Sequence, residues 1–245
     1  MRGHLLASLL LLASVPPAGA IVIRHDRDDA DYRALGAEYP AVAKILPDGE
    51  GTLIAPRWVL TAAHVGRDVR RVGGTVRVGE REYAVGGVFL HPDWKGQEHD
   101  IALVRLQEPV SGVQPASLYR NRDELGKVVT FVGRGDFGTG KEGILRADGA
   151  LRAATNRVDR TTDDWLIFTF DPPQAATRLE GISGPGDSGG PALVRRDGRS
   201  WVLGVSSGGQ SPEGGRPGMY GSREFYTRVS THLDWIDSVL EDAAR

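Results

Sequence analysis

Residues 186–191 read Gly-Asp-Ser-Gly-Gly-Pro, and they stand directly before a stretch that is typical of a β-hairpin. Apolar residues run from Pro191 to Val194, the pair Asp197-Gly198 supplies the positive φ angles of a tight turn, and the chain returns from Trp201 to Ser206. The hexapeptide would occur by chance in such a chain with a probability on the order of 10⁻⁴. The sequence therefore predicts that Ser188 lies in a glycine-rich turn just before a strand.

Outward from this hairpin, short apolar and β-branched runs alternate with Gly, Pro, Asn and Asp, which favours an all-β fold. The predicted strands are Val42 to Leu46, Thr52 to Ala55, Trp58 to Thr61, Gly74 to Val78, Arg81 to Leu90, Ile101 to Leu106, Lys127 to Val132 and Trp165 to Phe170. A helical period is evident only from Thr231 to Ala243, where the apolar residues share one face. We expect this amphipathic helix to dock on the β core.

The first twenty residues have the pattern of a cleavable signal peptide: a basic start at Arg2, an apolar run from Leu5 to Val15 and the small residues Ala18-Gly19-Ala20. An uncleaved membrane anchor is the alternative, but the apolar run is about half of what spans a bilayer. We expect a secreted or periplasmic protein whose mature form has no membrane segment.

The composition argues against several classes of protein. The chain has a net charge of −2, which gives no sign of a nucleic-acid surface. It has no cysteine, and its six histidines are scattered without the spacing of a zinc motif, so the sequence predicts no metal site and no cofactor. Without disulfides, stability has to come from packing.

Three segments follow one another along the chain: Thr61-Ala62-Ala63-His64, then His99-Asp100-Ile101-Ala102-Leu103, then the hexapeptide around Ser188. Together they resemble the chymotrypsin/trypsin-like serine peptidase family. The resemblance implies two packed antiparallel six-stranded β-barrels followed by a C-terminal α-helix. We place the first barrel in residues 21–117 and the second, with the helix, in residues 118–245.

The resemblance also implies a catalytic triad of His64, Asp100 and Ser188. A serine hydroxyl needs a base to become a nucleophile, and a histidine that titrates near neutrality suits that role. Asp100 would orient His64, and the apolar strand that follows would draw its carboxylate inward, where an unpaired charge is costly. Asp93 is the alternative carboxylate.

Further roles follow from the same resemblance. The backbone N–H groups of Gly186 and Ser188 would form the oxyanion hole. The segment Ser206-Ser207-Gly208 would pair with the extended substrate backbone, with Ser206 as a second donor to Asp100. Ile182 would form the floor of the specificity pocket, which does not support strict tryptic specificity. Glu224 would either recruit a basic side chain or face solvent, and solvent is the favoured alternative.

The family resemblance further implies that a new N-terminus pairs with the acid that precedes the nucleophile, here Asp187. Cleavage after Ala20 would leave Ile21-Val22 at the terminus. We therefore predict that signal peptidase itself generates the buried pair between Ile21 and Asp187, so that no separate propeptide is required. The alternative is an edge strand at Ile21-Val22 with no role in activation.

The sequence thus indicates a secreted serine endopeptidase, monomeric, with protein or peptide substrates and a protein inhibitor as a second candidate partner. A peptide-binding pseudoenzyme and a hydrolase that acts mainly on esters are the competing functions. Reaction with a covalent serine-directed inhibitor would distinguish an endopeptidase from the pseudoenzyme. Peptide and ester substrates assayed in parallel would distinguish it from the ester hydrolase.

Overall fold

A computed structural model describes residues 21–242, so the predicted signal peptide lies outside the described residues. The described chain is mostly β, as predicted. Its strands are β1 (Val22–Ile23), β2 (Val42–Ile45), β3 (Glu50–Ala55), β4 (Trp58–Thr61), β5 (Thr75–Val78), β6 (Arg81–Leu90), β7 (Ala102–Leu106), β8 (Ser117–Leu118), β9 (Val128–Gly133), β10 (Asp136–Thr139), β11 (Gly143–Ala147), β12 (Arg152–Arg157), β13 (Arg160–Thr161), β14 (Trp165–Thr169), β15 (Gly181–Ile182), β16 (Pro191–Arg196), β17 (Arg199–Gln210) and β18 (Arg223–Arg228). Its helices are α1 (Asp29–Gly36), α2 (Ala63–Val72) and α3 (Leu233–Asp242), with a 3₁₀ turn at Val229–Thr231.

The first half of the chain forms a closed antiparallel barrel in the order β2-β3-β4-β7-β6-β5. The barrel closes where Ile45 of β2 pairs with Val76 of β5. Its central strands β4 and β7 pair through Val59 with Val104 and Leu60 with Leu103, and these four side chains are buried. Closure leaves no strand edge exposed and gives the barrel a continuous apolar interior.

The second half is more open than the six-stranded barrel that we predicted. An eight-stranded sheet runs β12-β9-β16-β17-β18-β14-β13, with β8 added beside β17. A separate four-stranded sheet runs β11-β10-β1-β15, and a single bridge between Thr155 and Glu180 joins the region of β12 to the residue before β15. The predicted all-β fold class with a C-terminal helix is confirmed, whereas the second half divides into two sheets.

The two ends of the chain cross between the halves, which differs from the division at residue 117. Strand β1 pairs with β10 and β15, and α1 packs on β12, so residues 21–36 lie against the second half. Conversely, Ile236 of α3 belongs to the core cluster of the first barrel. Apolar β1 and amphipathic α3 each bury their apolar side chains on the other half.

Two of the three helices were not evident in the sequence. Helix α2 carries His64 in its first turn, and the residue at its N-cap, Ala62, makes no side-chain capping bond, so the start of α2 has no capping signal. Helix α3 is shorter than predicted at its start because Val229–Thr231 form a 3₁₀ turn before it. Within residues 21–242, no helix is long and apolar enough to cross a membrane.

Candidate active site

His64 and Asp100 are joined by two hydrogen bonds. The His64 Nδ1 atom lies 2.7 Å from Asp100 Oδ2, and the backbone N–H of His64 donates to Asp100 Oδ1 at 2.9 Å. Strand β4 ends at Thr61 and leads into α2, while Asp100 stands immediately before β7, the strand that pairs with β4. The register of the barrel therefore places the two residues side by side.

The environment of this pair decides which nitrogen of His64 is basic. Asp100 is buried, with 1% of its side chain exposed, whereas His64 is partly accessible. A carboxylate accepts hydrogen bonds, so Nδ1 carries the proton and Nε2 keeps its lone pair. The alternative carboxylate, Asp93, is exposed in the loop after β6 and makes no contact of this kind with His64.

Asp100 receives a further hydrogen bond from Ser207. The predicted donor was the neighbouring residue, Ser206. The Ser207 hydroxyl donates to Asp100 Oδ2 at 2.6 Å, and Thr227 Oγ1 donates to the Asp100 carbonyl at 3.0 Å. The β17–β18 register shifts between Ser206 and Gly208, and this β-bulge turns Ser207 toward Asp100. Ser206 instead lies 3.3 Å from Ser183 through their hydroxyl oxygens.

Ser188 lies in a tight turn whose conformation depends on glycine. Gly186 and Gly189 have φ angles of +88° and +82°, the left-handed region that favours glycine. A Cβ on Gly189 would lie 2.1 Å from Thr61 Oγ1, so only glycine allows this turn to approach the end of β4. The Glu50 N–H donates to the Ser188 carbonyl at 2.7 Å and ties the turn to the first barrel.

The structure brings Ser188 to the cleft without a hydrogen bond to His64. A Cβ on Gly49 would lie 2.6 Å from Val65 Cγ1 and 3.3 Å from the Ser188 carbonyl oxygen, so the His64 and Ser188 segments meet around that glycine. Hydrogen bonds between catalytic groups are often long in the free enzyme and shorten when substrate binds.

Along the turn around Ser188, backbone N–H groups that donate to a protein carbonyl alternate with N–H groups that do not. Those of Asp187 and Gly189 donate to the carbonyls of Gly184 and Ser206, at 3.0 and 2.8 Å. Within residues 21–242, the N–H groups of Gly186 and Ser188 donate to no protein acceptor. Two free donors in one turn form a site for an oxygen that carries negative charge.

Ile21 and Asp187 form a buried contact beneath this turn. The Ile21 nitrogen lies 3.2 Å from Asp187 Oδ2, and both residues are buried. Asp187 also accepts the N–H groups of Gly184 at 2.9 Å and Gly135 at 2.6 Å. Burial raises the pKa of Asp187 to about 6, although the N–H donors favour the ionised form.

A cavity of about 250 Å³ opens beside Ser188. Its lining includes Ser206, Gly208 and Glu224, so two of the predicted substrate-binding residues border it. Glu224 is buried rather than solvent-facing, with 7% of its surface exposed, because β18 pairs with both β14 and β17. A Cβ on Gly209 would lie 2.5 Å from Glu224 Oε1, so the glycine makes room for this carboxyl group.

Burial raises the pKa of Glu224 to about 8. Its hydrogen-bond partner is the Ser183 hydroxyl, which donates to Oε2 at 2.8 Å and also lies 2.9 Å from Tyr226 Oη. Glu224 is the acidic residue in the lining of the cavity. Its burial depends on the pairing of β18 with two neighbouring strands, which the local sequence does not reveal.

Ile182 does not line the cavity, contrary to the prediction that it forms the floor. It pairs with Val22 across β15 and β1, and its side chain packs in a small apolar cluster with Val22 and Phe170. Ser207, turned toward Asp100, is likewise absent from the lining. Antiparallel pairing of β1 with β15 therefore holds Ile182 away from the cavity.

Glu50, which the sequence analysis did not identify, lies next to the Ser188 turn. Its side chain is fully buried, with Arg134 Nη1 3.1 Å from Oε2 and Lys44 Nζ 3.7 Å from Oε1. Burial raises the pKa of Glu50 to about 8, against the attraction of the two cations. Lys44 Nζ also lies 3.4 Å from the Gly186 carbonyl, so this charge cluster borders the turn.

The arrangement combines an oriented imidazole, a hydroxyl, two free N–H donors and an adjoining cavity with a buried acid. These are the parts needed for acyl transfer, in which a nucleophile attacks a carbonyl and the resulting oxyanion is stabilised.

Comparisons with known proteins identify the family of this chain. The Trypsin family model matches residues 33–236. The platelet-aggregating proteinase PA-BJ of Bothrops jararaca is 30% identical over 208 residues, which cover 78% of this chain and 83% of the relative. The solved structure of neuropsin, a serine protease expressed in the limbic system of mouse brain, superposes with a TM-score of 0.67 at 22% identity, covering 85% of this chain and 98% of neuropsin.

Proposed function

The chain belongs to the trypsin family of serine-type endopeptidases, and we propose that it cuts peptide bonds with Ser188 as nucleophile, His64 as general base and Asp100 as the orienting carboxylate. The observation that carries this proposal is the doubly hydrogen-bonded pair of His64 and Asp100, whose segment meets that of Ser188 around Gly49.

The proposed reaction has two stages. Ser188 Oγ attacks the substrate carbonyl carbon while His64 Nε2 accepts its proton, and the N–H groups of Gly186 and Ser188 bind the oxyanion. The C–N bond then breaks as His64 returns the proton to the leaving amine, which leaves an ester on Ser188. Water attacks this ester and gives a proton to His64. The ester C–O bond then breaks as His64 returns that proton to Ser188 Oγ, which releases the carboxylic acid and the free serine.

Activation by signal peptidase is a second part of the proposal. Cleavage after Ala20 would convert the Ile21 nitrogen, already 3.2 Å from Asp187 Oδ2, into an ammonium group. The positive charge would favour the ionised form of Asp187, which burial alone disfavours, and would hold the oxyanion turn in place. The same signal peptide would direct secretion of the protein.

Glu224 supports the alternative that the sequence had made the less favoured one, recruitment of a basic side chain. A Lys or Arg side chain that enters the cavity would meet a buried carboxyl whose own partner is a single hydroxyl. We expect pairing with a basic side chain when Glu224 is ionised and acceptance of an apolar side chain when it is neutral.

The test is digestion of a mixed peptide library by the mature protein, with Ser188→Ala in parallel and the products identified by mass spectrometry. We expect cleavage that depends on Ser188, together with stoichiometric labelling of Ser188 by a fluorophosphonate. A protein that binds peptides but neither cuts nor labels would support the pseudoenzyme. Turnover of esters without peptides would support an esterase.

A further inference from the structure

Three histidines from distant parts of the chain meet at His99, the residue before Asp100. His91 follows β6, His99 precedes Asp100, and His232 precedes α3. The ring centroids lie 5.1 Å apart for His91 and His99, 5.2 Å for His91 and His232, and 5.3 Å for His99 and His232. One nitrogen of each ring lies within 4.8 Å of the others. The sequence analysis expected no metal site because these residues share no local spacing.

The distances around this cluster approach those of a tetrahedral metal site. Zinc–nitrogen bonds of about 2.0–2.1 Å put neighbouring ligand atoms about 3.3 Å apart. His99 Nδ1 lies 3.0 Å from His232 Nε2 and donates a hydrogen bond to it, and a bound metal would replace the proton that the two nitrogens share. Asp164 Oδ1 lies 3.5 Å from the same atom of His99 and 3.4 Å from that of His232. The distances between these three ligand atoms are therefore already close to those between the corners of a tetrahedral zinc site.

Neighbouring groups hold two of these four side chains, His232 and Asp164, in an orientation that suits metal binding. His232 is buried, and its Nδ1 lies 2.7 Å from the Arg228 carbonyl, an acceptor, so Nδ1 carries the proton and Nε2 keeps its lone pair. A backbone carbonyl in this position is the usual support of a metal-binding histidine. The backbone N–H of His99 donates to both oxygens of Asp164, at 3.1 and 3.2 Å, and holds that carboxylate in place.

We propose that His91, His99 and His232 bind a divalent transition-metal ion, best satisfied by Zn²⁺, with Asp164 as the fourth ligand. Imidazole nitrogens with one carboxylate oxygen suit zinc, and the tetrahedral arrangement disfavours calcium and magnesium, which take six or more oxygen ligands. His99 is 42% exposed, so an ion can reach the cluster from solvent.

The site is linked to the proposed triad through the backbone. His99 is bonded to Asp100, and Thr227, whose hydroxyl holds the Asp100 carbonyl, is bonded to Arg228, whose carbonyl holds His232. Closing the histidine nitrogens from within 4.8 Å of one another to the spacing of about 3.3 Å that zinc requires would move His91 relative to His99 and shift the segment that orients Asp100. Because displacements of about 1 Å in a catalytic group cost about 10²-fold in rate, zinc is expected to inhibit. This inhibition rests on the proposed function, whereas metal binding does not.

Binding is tested in a His64→Ala host, which removes the triad imidazole as a competing zinc ligand. Calorimetry of the chelator-treated mature protein with Zn²⁺ should show one ion per chain, and Co²⁺ should give the visible absorption of tetrahedral coordination. His91→Gln and His99→Gln should each weaken binding at least 100-fold. His25→Gln, which changes an exposed histidine outside the cluster, should leave binding unchanged. Circular dichroism of the metal-free variants checks folding.

Inhibition is tested with otherwise wild-type protein. Zn²⁺ should lower kcat by 10- to 100-fold, a chelator should restore it, and His91→Gln should be insensitive. Absence of stoichiometric binding in the His64→Ala host, or binding that survives both glutamine substitutions, would overturn the site. Stoichiometric binding with unchanged kcat would overturn the coupling to catalysis. An inactive wild-type protein that still binds one Zn²⁺ would refute the proposed function and leave the site standing.

Discussion

Glu224→Gln is expected to abolish a rise in the preference for basic over apolar substrates between pH 7 and pH 9. In the wild-type protein, Glu224 lies in the cavity beside Ser188 with the Ser183 hydroxyl as its hydrogen-bond partner. A substrate ammonium or guanidinium group gains a charge partner there only if the carboxyl is ionised. An apolar side chain has no such requirement.

The magnitude follows from the pKa of Glu224, which burial raises to about 8. Since a raised acid pKa delays ionisation, the charge appears as pH rises through 8. About one tenth of the molecules carry it at pH 7 and about nine tenths at pH 9. The kcat/KM for a basic substrate, divided by that for an apolar one, should therefore rise about tenfold, equivalent to about 1.4 kcal/mol.

The assay uses two peptides that differ only in the residue before the cut, Lys in one and Leu in the other. The ratio of their kcat/KM values cancels any titration that affects both substrates alike. The matched control is Glu213→Gln, which changes an exposed glutamate in the loop after β17 and should keep the rise. A flat ratio in the wild-type protein, or an unchanged rise in Glu224→Gln, would refute the reasoning.

Three further predictions concern the turn around Ser188 and its supports. Asp100→Asn should lower kcat by about 10⁴-fold, as in the Ser-His-Asp template. Ser207→Ala should lower kcat by about tenfold, since it removes one hydrogen bond to a buried charge. Single-turnover kinetics would measure both losses, and equal losses would contradict the larger role of Asp100. Ile21→Gly, with correct processing confirmed by mass spectrometry, should lose about 2–4 kcal/mol of buried apolar contact. The rate of fluorophosphonate labelling should then fall by up to about 10²-fold. Labelling at the wild-type rate would refute a role of the Ile21–Asp187 pair in activation. Burial raises the pKa of Glu50 to about 8, above its reference of 4.5, so the folded state keeps a proton that the unfolded chain releases, and stability should fall as pH rises between these values. Glu50→Gln should reduce that fall by about 3 kcal/mol in urea unfolding at pH 5 and pH 7, and an unchanged difference would show that the carboxyl is ionised in the fold.

Much of the first barrel was predictable because each of its strands carries its own signal. The predicted bounds of β4 and β6 coincide with those observed, since runs such as Trp58 to Thr61 are apolar and are bounded by turn residues. The second half was harder to predict because β1, β8, β13 and β15 have only two residues each and because one of its sheets depends on β1, which comes from the start of the described chain. Helix α2 was missed because its start has no capping residue.

Features that depend on neighbouring residues could be inferred from the printed sequence: the glycine-rich turn at Ser188, the all-β character, and the candidates His64, Asp100 and Ile21. Turn conformation and strand period are local properties, so a short stretch of residues can specify them. Features that depend on strand register became evident only in the folded chain. A single β-bulge exchanged the roles of Ser206 and Ser207, pairing of β18 on both sides buried Glu224, and packing of α3 on the first barrel brought His232 to His91 and His99. Register is set by the packing of many residues at once, and a shift of one position turns a side chain to the opposite face of the sheet.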